Sequence, residues 1–189
     1  MSLNTLFIDE VLIKSRTAIS QGIDGKQIKP VIKLAQDKFI MSCLGSTLFN
    51  RLQQGIENDD LNTYEKTLLD DYITDCLLWY TIAEMVMMTS FQFFSKGVFQ
   101  KSSEESNAPS NGQLELLERS YKSNAEFYKQ RLIDYLRQNT TLFPEYINYA
   151  TGFDVIPPQI KAYTSSIYLG RKTRKIASNL DFPYENTKL

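Results

Sequence analysis

The chain contains no histidine. That removes the base that activates a serine or cysteine nucleophile, and it removes every histidine-ligated metal centre. Glycine and proline are scarce, 8 and 6 among 189 residues, which argues against a turn-rich all-β fold. There are two cysteines, Cys43 and Cys76, each set among apolar residues of a predicted helix. They read as buried free thiols rather than as a disulfide. No CxxC pair, GxSxG elbow or glycine-rich phosphate loop occurs, and no cofactor is expected. A formal net charge of −1 makes the whole chain neither a magnet for nucleic acid nor an acidic tail protein. The first ten residues, MSLNTLFIDE, lack a basic start and an apolar run, so no signal peptide is expected. Residues 76–94 are the one membrane candidate, but Glu84 sits near their middle, with Thr81, Thr89, Ser90 and Gln92 around it. A central acidic residue costs roughly 2.5–3.5 kcal/mol on the insertion scale. The segment therefore reads as a helix buried within protein, and no membrane partner is expected.

What remains is an apolar, helix-patterned chain. Its hydrophobic fraction of 42% can fill one core. Residues 1–27 are open between a short helix and an extended arm, with Leu6, Ile8, Val11, Leu12 and Ile13 as the apolar content. Gly22 and Gly25 mark a turn, and Pro30 fits the start of a helix. Ile28, Val31, Ile32, Ala35, Phe39, Ile40 and Cys43 then recur at three- and four-residue steps, one face of that helix. Gly45 ends or kinks it, and Ser46 or Thr47 can cap a short successor burying Leu48, Phe49 and Leu52.

Asn62 with Glu65 resembles a capping box. Beyond it Leu61, Tyr64, Leu68, Tyr72, Cys76, Trp79, Ala83, Val86 and Ser90 form one stripe, and residues 71–94 read as a long helix buried on nearly all sides. Residues 95–112 read as a polar loop. Leu114, Leu117, Tyr121, Ala125, Tyr128, Leu132 and Tyr135 predict a second long helix ending near Asn139, antiparallel to the first. The fold class is thus all-α, a helical bundle with a long central helix hairpin, divided as an N-terminal arm (1–27), a core (28–140) and an extended C-terminal arm (141–189). From Thr140 the helix period fades. Pro157 and Pro158 favour extended backbone, and the aromatic content is too high for a free linker. The arm should lie along its own domain, a neighbouring copy or another protein.

Candidate chemistry is thin. Asp59, Asp60, Asp70, Asp71 and Asp75 read as solvated charge rather than a converging ion site. Glu84 is the one ionisable group deep in an apolar helix, and a structural bond to Tyr or Lys accounts for it better than catalysis. Lys161, Arg171, Lys172, Arg174 and Lys175, interleaved with Tyr163 and Tyr168, suit either DNA phosphates or an acidic protein surface. Phe153, Ile156, Tyr163, Tyr168, Arg171 and Arg174 are the candidate interface residues of the arm. Lys96 and Lys101 mark the loop as a candidate lumen- or partner-facing element.

One run carries a family likeness: Ile28, Pro30, Ile32, Ala35 and Gln36, followed by Leu44, Gly45 and Leu48. It resembles the Ile-x-Pro-x-Ile-x-x-Ala-Gln and Leu-Gly-x-x-Leu pattern of tailed-phage head-completion proteins, especially those of crAss-like phages of Bacteroidetes. A long helix with Leu77, Trp79, Tyr80 and Glu84, a polar segment after Gly97 and Val98, and a second long helix follow in the same order. The resemblance covers residues 5–140, and the arm matches no motif. It implies a head–tail connector, or adaptor, without catalytic activity. Such a protein forms a ring, a dodecamer by the resemblance, beneath the portal protein and above further tail or connector rings. Genomic DNA passes through the lumen without sequence-specific binding, which places the protein in the virion at the head–tail junction. The alternative is a non-viral helical adaptor or regulator that binds a partner through its C-terminal arm.

Overall fold

The computed structural model describes residues 4–94, 97–100, 109–148 and 155–159. The architecture is an all-α bundle of seven helices with one two-stranded ribbon, among the described residues. Helix α1 (Glu10–Arg16) is capped by Asp9, whose carboxylate accepts from the Leu12 amide at 2.7 Å. Helix α2 (Gly25–Ala35) begins earlier than Pro30 suggested, because Asp24 caps it by accepting from the Lys26 amide. Pro30 therefore lies inside the helix on its exposed side, where water can solvate the carbonyl it leaves without a donor. A wide π-helical turn (Gln36–Ile40) carries α2 into α3 (Met41–Glu57).

Asn62 and Glu65 form the expected capping box at the start of α4 (Thr63–Leu68). A second π turn (Leu69–Ile73) joins it to α5 (Thr74–Ser90). That turn shifts the helix face, so the stripe read as continuous is not: Ile73, five residues after Leu68, is the next fully buried residue, while Tyr72 is only partly buried; Tyr64, in the first turn of α4, is 53% exposed. Helix α5 stops at Ser90, short of the expected Phe94. Phe91–Phe94 (β1) instead pairs antiparallel with Gly97–Gln100 (β2), Phe91 opposite Gln100 and Phe94 opposite Gly97. Within the expected polar loop, residues 97–100 thus form a strand. Phenylalanine and valine are residue types that favour strands.

Helix α6 (Asn111–Gln138) opens on a second capping box, Ser110 with Gln113, and α7 is the single turn Pro144–Ile147. Helices α5 and α6 run antiparallel. Tyr72 stacks on Tyr135 at 3.9 Å between centroids, Trp79 lies over Tyr121, and the Tyr80 hydroxyl donates to Glu126 at 2.5 Å. Phe39 stacks on Tyr80 at 3.9 Å and ties the first π turn to α5. The core reaches past residues 28–140 in both directions, for Ile8, Ile13, Phe143 and Tyr146 are buried in it. Leu116 and Leu117 are exposed, so the apolar stripe of α6 runs out near its first turn.

Candidate interaction site: two seats for extended chain

Two glutamines lie on core-facing helix positions where apolar side chains would be expected. Gln36 is 0% exposed and Gln53 is 1% exposed. An amide buried without partners costs several kcal/mol, so each must be satisfied inside the protein. Both are satisfied by the N-terminal segment. The Phe7 amide donates to Gln36 Oε1 at 2.8 Å, and Gln36 Nε2 donates to the Thr5 carbonyl at 3.0 Å. Gln53 Nε2 donates to the same carbonyl at 2.9 Å. Gln36 thus treats residues 5 and 7 as a neighbouring strand would, one acceptor and one donor on the same edge. The Phe7 ring packs against Phe49 with centroids 5.1 Å apart.

The second seat is the break in α3. Gly45 has φ +76° and ψ +154°, a conformation essentially confined to glycine. In an unbroken helix the Ser46 amide would donate to the Ser42 carbonyl four residues back. Gly45 pulls the two groups apart, and residues 156–159 fill the gap. Ser46 N–H donates to the Ile156 carbonyl at 3.0 Å, and Gln159 N–H donates to the Ser42 carbonyl at 2.9 Å. The Ile156 amide in turn donates to Ser46 Oγ at 3.1 Å. Pro158 is buried against Gly45: a Cβ there would lie 2.8 Å from Pro158 Cδ and 3.2 Å from the Ile156 carbonyl oxygen. Proline is suited to this place because it brings no further amide hydrogen that would need a partner. The bond that Ser46 would make to Ser42 in a regular helix is replaced by two to an extended segment.

Of the residues singled out in the arm, Ile156 comes to this seat, held through its backbone, with its side chain 44% exposed. Phe153, Tyr163, Tyr168, Arg171 and Arg174 lie outside the described residues, as do Lys96 and Lys101. Sequence reasoning missed Gln36 and Gln53 as clamps. The signal was there: each is a polar residue on an apolar helix face, four positions after Ile32 and Phe49 respectively. Ser42 and Ser46 gave no comparable signal, since their role comes from the backbone break between them.

Several charged groups pair within the fold, whereas Tyr146 Oη and Asp37 Oδ1 are buried without a hydrogen-bond partner. Glu84 bonds Lys38 at 2.7 Å, and Asp75 pairs with Arg16. Arg51 bridges Asp60 and Glu65, and the hydrogen bond to Asp60 raises its pKa above the usual guanidinium value. Burial pushes the Cys43 thiol up to about 11 and moves Cys76 and Tyr80 in the same direction, so both cysteines are poor nucleophiles. Among the described residues no group of three or more Cys, Asp or Glu is placed to hold a metal ion, and no helix is long and apolar enough to cross a membrane. An open cleft of about 410 Å³ lies beside Tyr72, Phe127, Arg131 and Tyr135. Its residue types are those of a protein contact, with Phe127 67% exposed.

Fold and site together define an all-α protein whose core holds extended chain at two backbone-recognising seats. Residues 40–152 match a family described as a family of unknown function (DUF6712), and the chain belongs to that family. The matched part contains the break at Gly45, whereas its occupant, residues 156–159, lies just beyond. No curated protein and no solved structure matches the chain.

Proposed function

We propose that this protein is a head–tail connector of a tailed phage, a structural ring protein that extends the DNA channel beneath the portal and joins it to the tail. The observation that carries this reading is where the resembling residues sit. Gln36 and Gly45, taken from the two halves of the family-like pattern, are the residues on which the two extended segments rest. A ring needs a compact body and extended chain that links bodies, and residues that hold extended chain are what such a pattern would preserve. On this reading the function is assembly, not catalysis. Copies meet through heterologous contacts that close by rotation. On this reading residues 95–112, which include Lys96 and Lys101, face the lumen or an adjacent ring. The near-zero net charge suits a channel past which DNA must slide without sticking.

Native mass spectrometry of the protein alone and with the portal of the same phage tests the proposal. A monomer that becomes a ring-sized complex on the portal supports it. A protein that stays small and ignores the portal refutes it and favours the helical adaptor, which would use the same arm on a different partner.

A further inference from the structure

The break at Gly45 leaves a donor and an acceptor that cannot satisfy each other. Ser46 N–H and the Ser42 carbonyl are separated by the glycine conformation itself, so they need partners from outside the helix whether or not this chain's own segment is present. The seat is therefore a receptor built into the fold, and its ligand is spelled out by its occupant. It takes a carbonyl and an amide three residues apart, with a proline ring between them closing on the bare Cα of Gly45. We propose that in the assembled state this seat is filled by residues 155–159 of a second copy of the chain, so that each subunit donates its segment to one neighbour and receives one from the other. The proposal rests on the ring reading and names the contact that closes the ring.

Three observations favour a second copy as occupant. First, a second copy carries the identical Ile156, Pro157, Pro158 and Gln159, so the hydrogen bonds and the buried proline are reproduced in trans with no loss. Second, the seat faces outward enough for exchange. Asn50, one turn beyond Ser46, is exposed, and so are Ile156, Pro157 and Gln159, so the segment lies on the surface with Pro158 as its buried anchor. Third, residues 160–189 continue from Gln159 and carry Tyr163, Ile167, Tyr168, Leu169, Ile176 and Phe182 beside six basic residues. Chain of that composition follows whichever body the seat belongs to, so an exchange at 155–159 delivers the whole apolar and basic terminus to a neighbour. The reach is limited. From Asn148 to Val155 extended chain spans at most about 25 Å, so a neighbour's Asn148 must come that close to the seat. A head-to-tail contact of this kind uses one surface to give and another to receive, and it closes into a ring when the rotation between neighbours divides a full turn.

The test uses the full-length chain carrying Asn50→Cys and Ile156→Cys together, treated with a short bismaleimide. Both positions are exposed, and the native cysteines are buried, so the unsubstituted chain serves as the background control. Circular dichroism verifies that the variant folds. With the portal of the same phage, the expected result on a denaturing gel is a ladder of covalent multimers comprising most of the assembled chains. A mixture of the two single variants should give a dimer, and neither single variant alone should. If rings form but the cross-link stays within monomers, the exchange is wrong while the ring reading stands. If no ring forms and the cross-link stays within monomers, both are overturned.

Discussion

The most demanding prediction is the substitution Gly45→Ala. The backbone at this position, φ +76° and ψ +154°, costs a residue with a Cβ about 1–3 kcal/mol in strain. The methyl group also has nowhere to go. It would lie 2.8 Å from Pro158 Cδ and 3.0 Å from Pro158 N, and neither a proline ring nor a backbone nitrogen yields as a flexible side chain would. Moving residues 156–159 outward weakens three hydrogen bonds, each worth about 0.5–1.5 kcal/mol net. Together these give an expected loss of about 2–5 kcal/mol, read as a lower urea midpoint in far-UV circular dichroism with an unchanged slope. A double-mutant cycle with Pro158→Ala separates the parts. Removing the proline ring abolishes the 2.8 Å contact but not the strain, so the second substitution should recover about 1 kcal/mol of coupling. Two results would refute the reasoning. A Gly45→Ala loss below about 0.5 kcal/mol means that the break is not held in this conformation. A full loss without coupling to Pro158 means that the arm does not rest on the glycine.

Other outcomes follow from the same geometry. Gln36→Leu keeps volume but strips both bonds to residues 5 and 7, and should cost about 1–3 kcal/mol while speeding hydrogen exchange at the Phe7 amide; an unchanged Phe7 exchange rate would show that the clamp is not formed. Glu84→Gln breaks a pair whose Lys38 is half exposed, so it should cost no more than about 1 kcal/mol in urea; a loss above about 3 kcal/mol would mean that Glu84 does more than pair with Lys38. Cys43 has a folded pKa of about 11 against an ordinary 9.0, and a raised pKa means stability is complete below pH 9 and lost as pH rises toward 11. The loss reaches about 3 kcal/mol at most, and Cys76 and Tyr80 push the same way. Unfolding followed from pH 8 to 11 should show this fall, and Cys43→Ala should make it shallower; a flat profile in the native protein would contradict the burial.

The helices were legible because their signals are local. Asn62 and Glu65 sit three apart and cap, and Cys43 and Cys76 fall in apolar stripes and are buried. Gly45 was legible as a break, since glycine in a helical pattern marks one. What the break does was not, because its partner lies more than a hundred residues away and acts through backbone atoms that no side-chain pattern encodes. Tyr64 failed for a different reason. It sits in the first turn of α4, where its place on a helical face does not by itself bring it under the core, and the π turn at Leu69–Ile73 separately hands the buried position from Tyr72 to Ile73. The ribbon at Phe91–Phe94 was hidden by continuity, since an apolar run entering from α5 reads as more helix.

The two seats also constrain each other. Gln36, Ser42, Gly45, Ser46 and Gln53 all lie on the continuous run formed by the first π turn and α3. That run therefore holds the N-terminal segment through buried side chains and the C-terminal segment through a broken backbone. The difference matters for exchange. Releasing residues 5–7 would strand two buried amides in the core, which is costly and keeps the N-terminal segment at home. Releasing residues 156–159 would expose one amide and one carbonyl beside a surface, where water can take both while a replacement arrives. The N-terminal seat is thus suited to completing the fold of each body, and the C-terminal seat to joining one body to the next. If the second is filled in trans, the stability it contributes belongs to the assembly, and resistance to unfolding must rise with protein concentration once rings form.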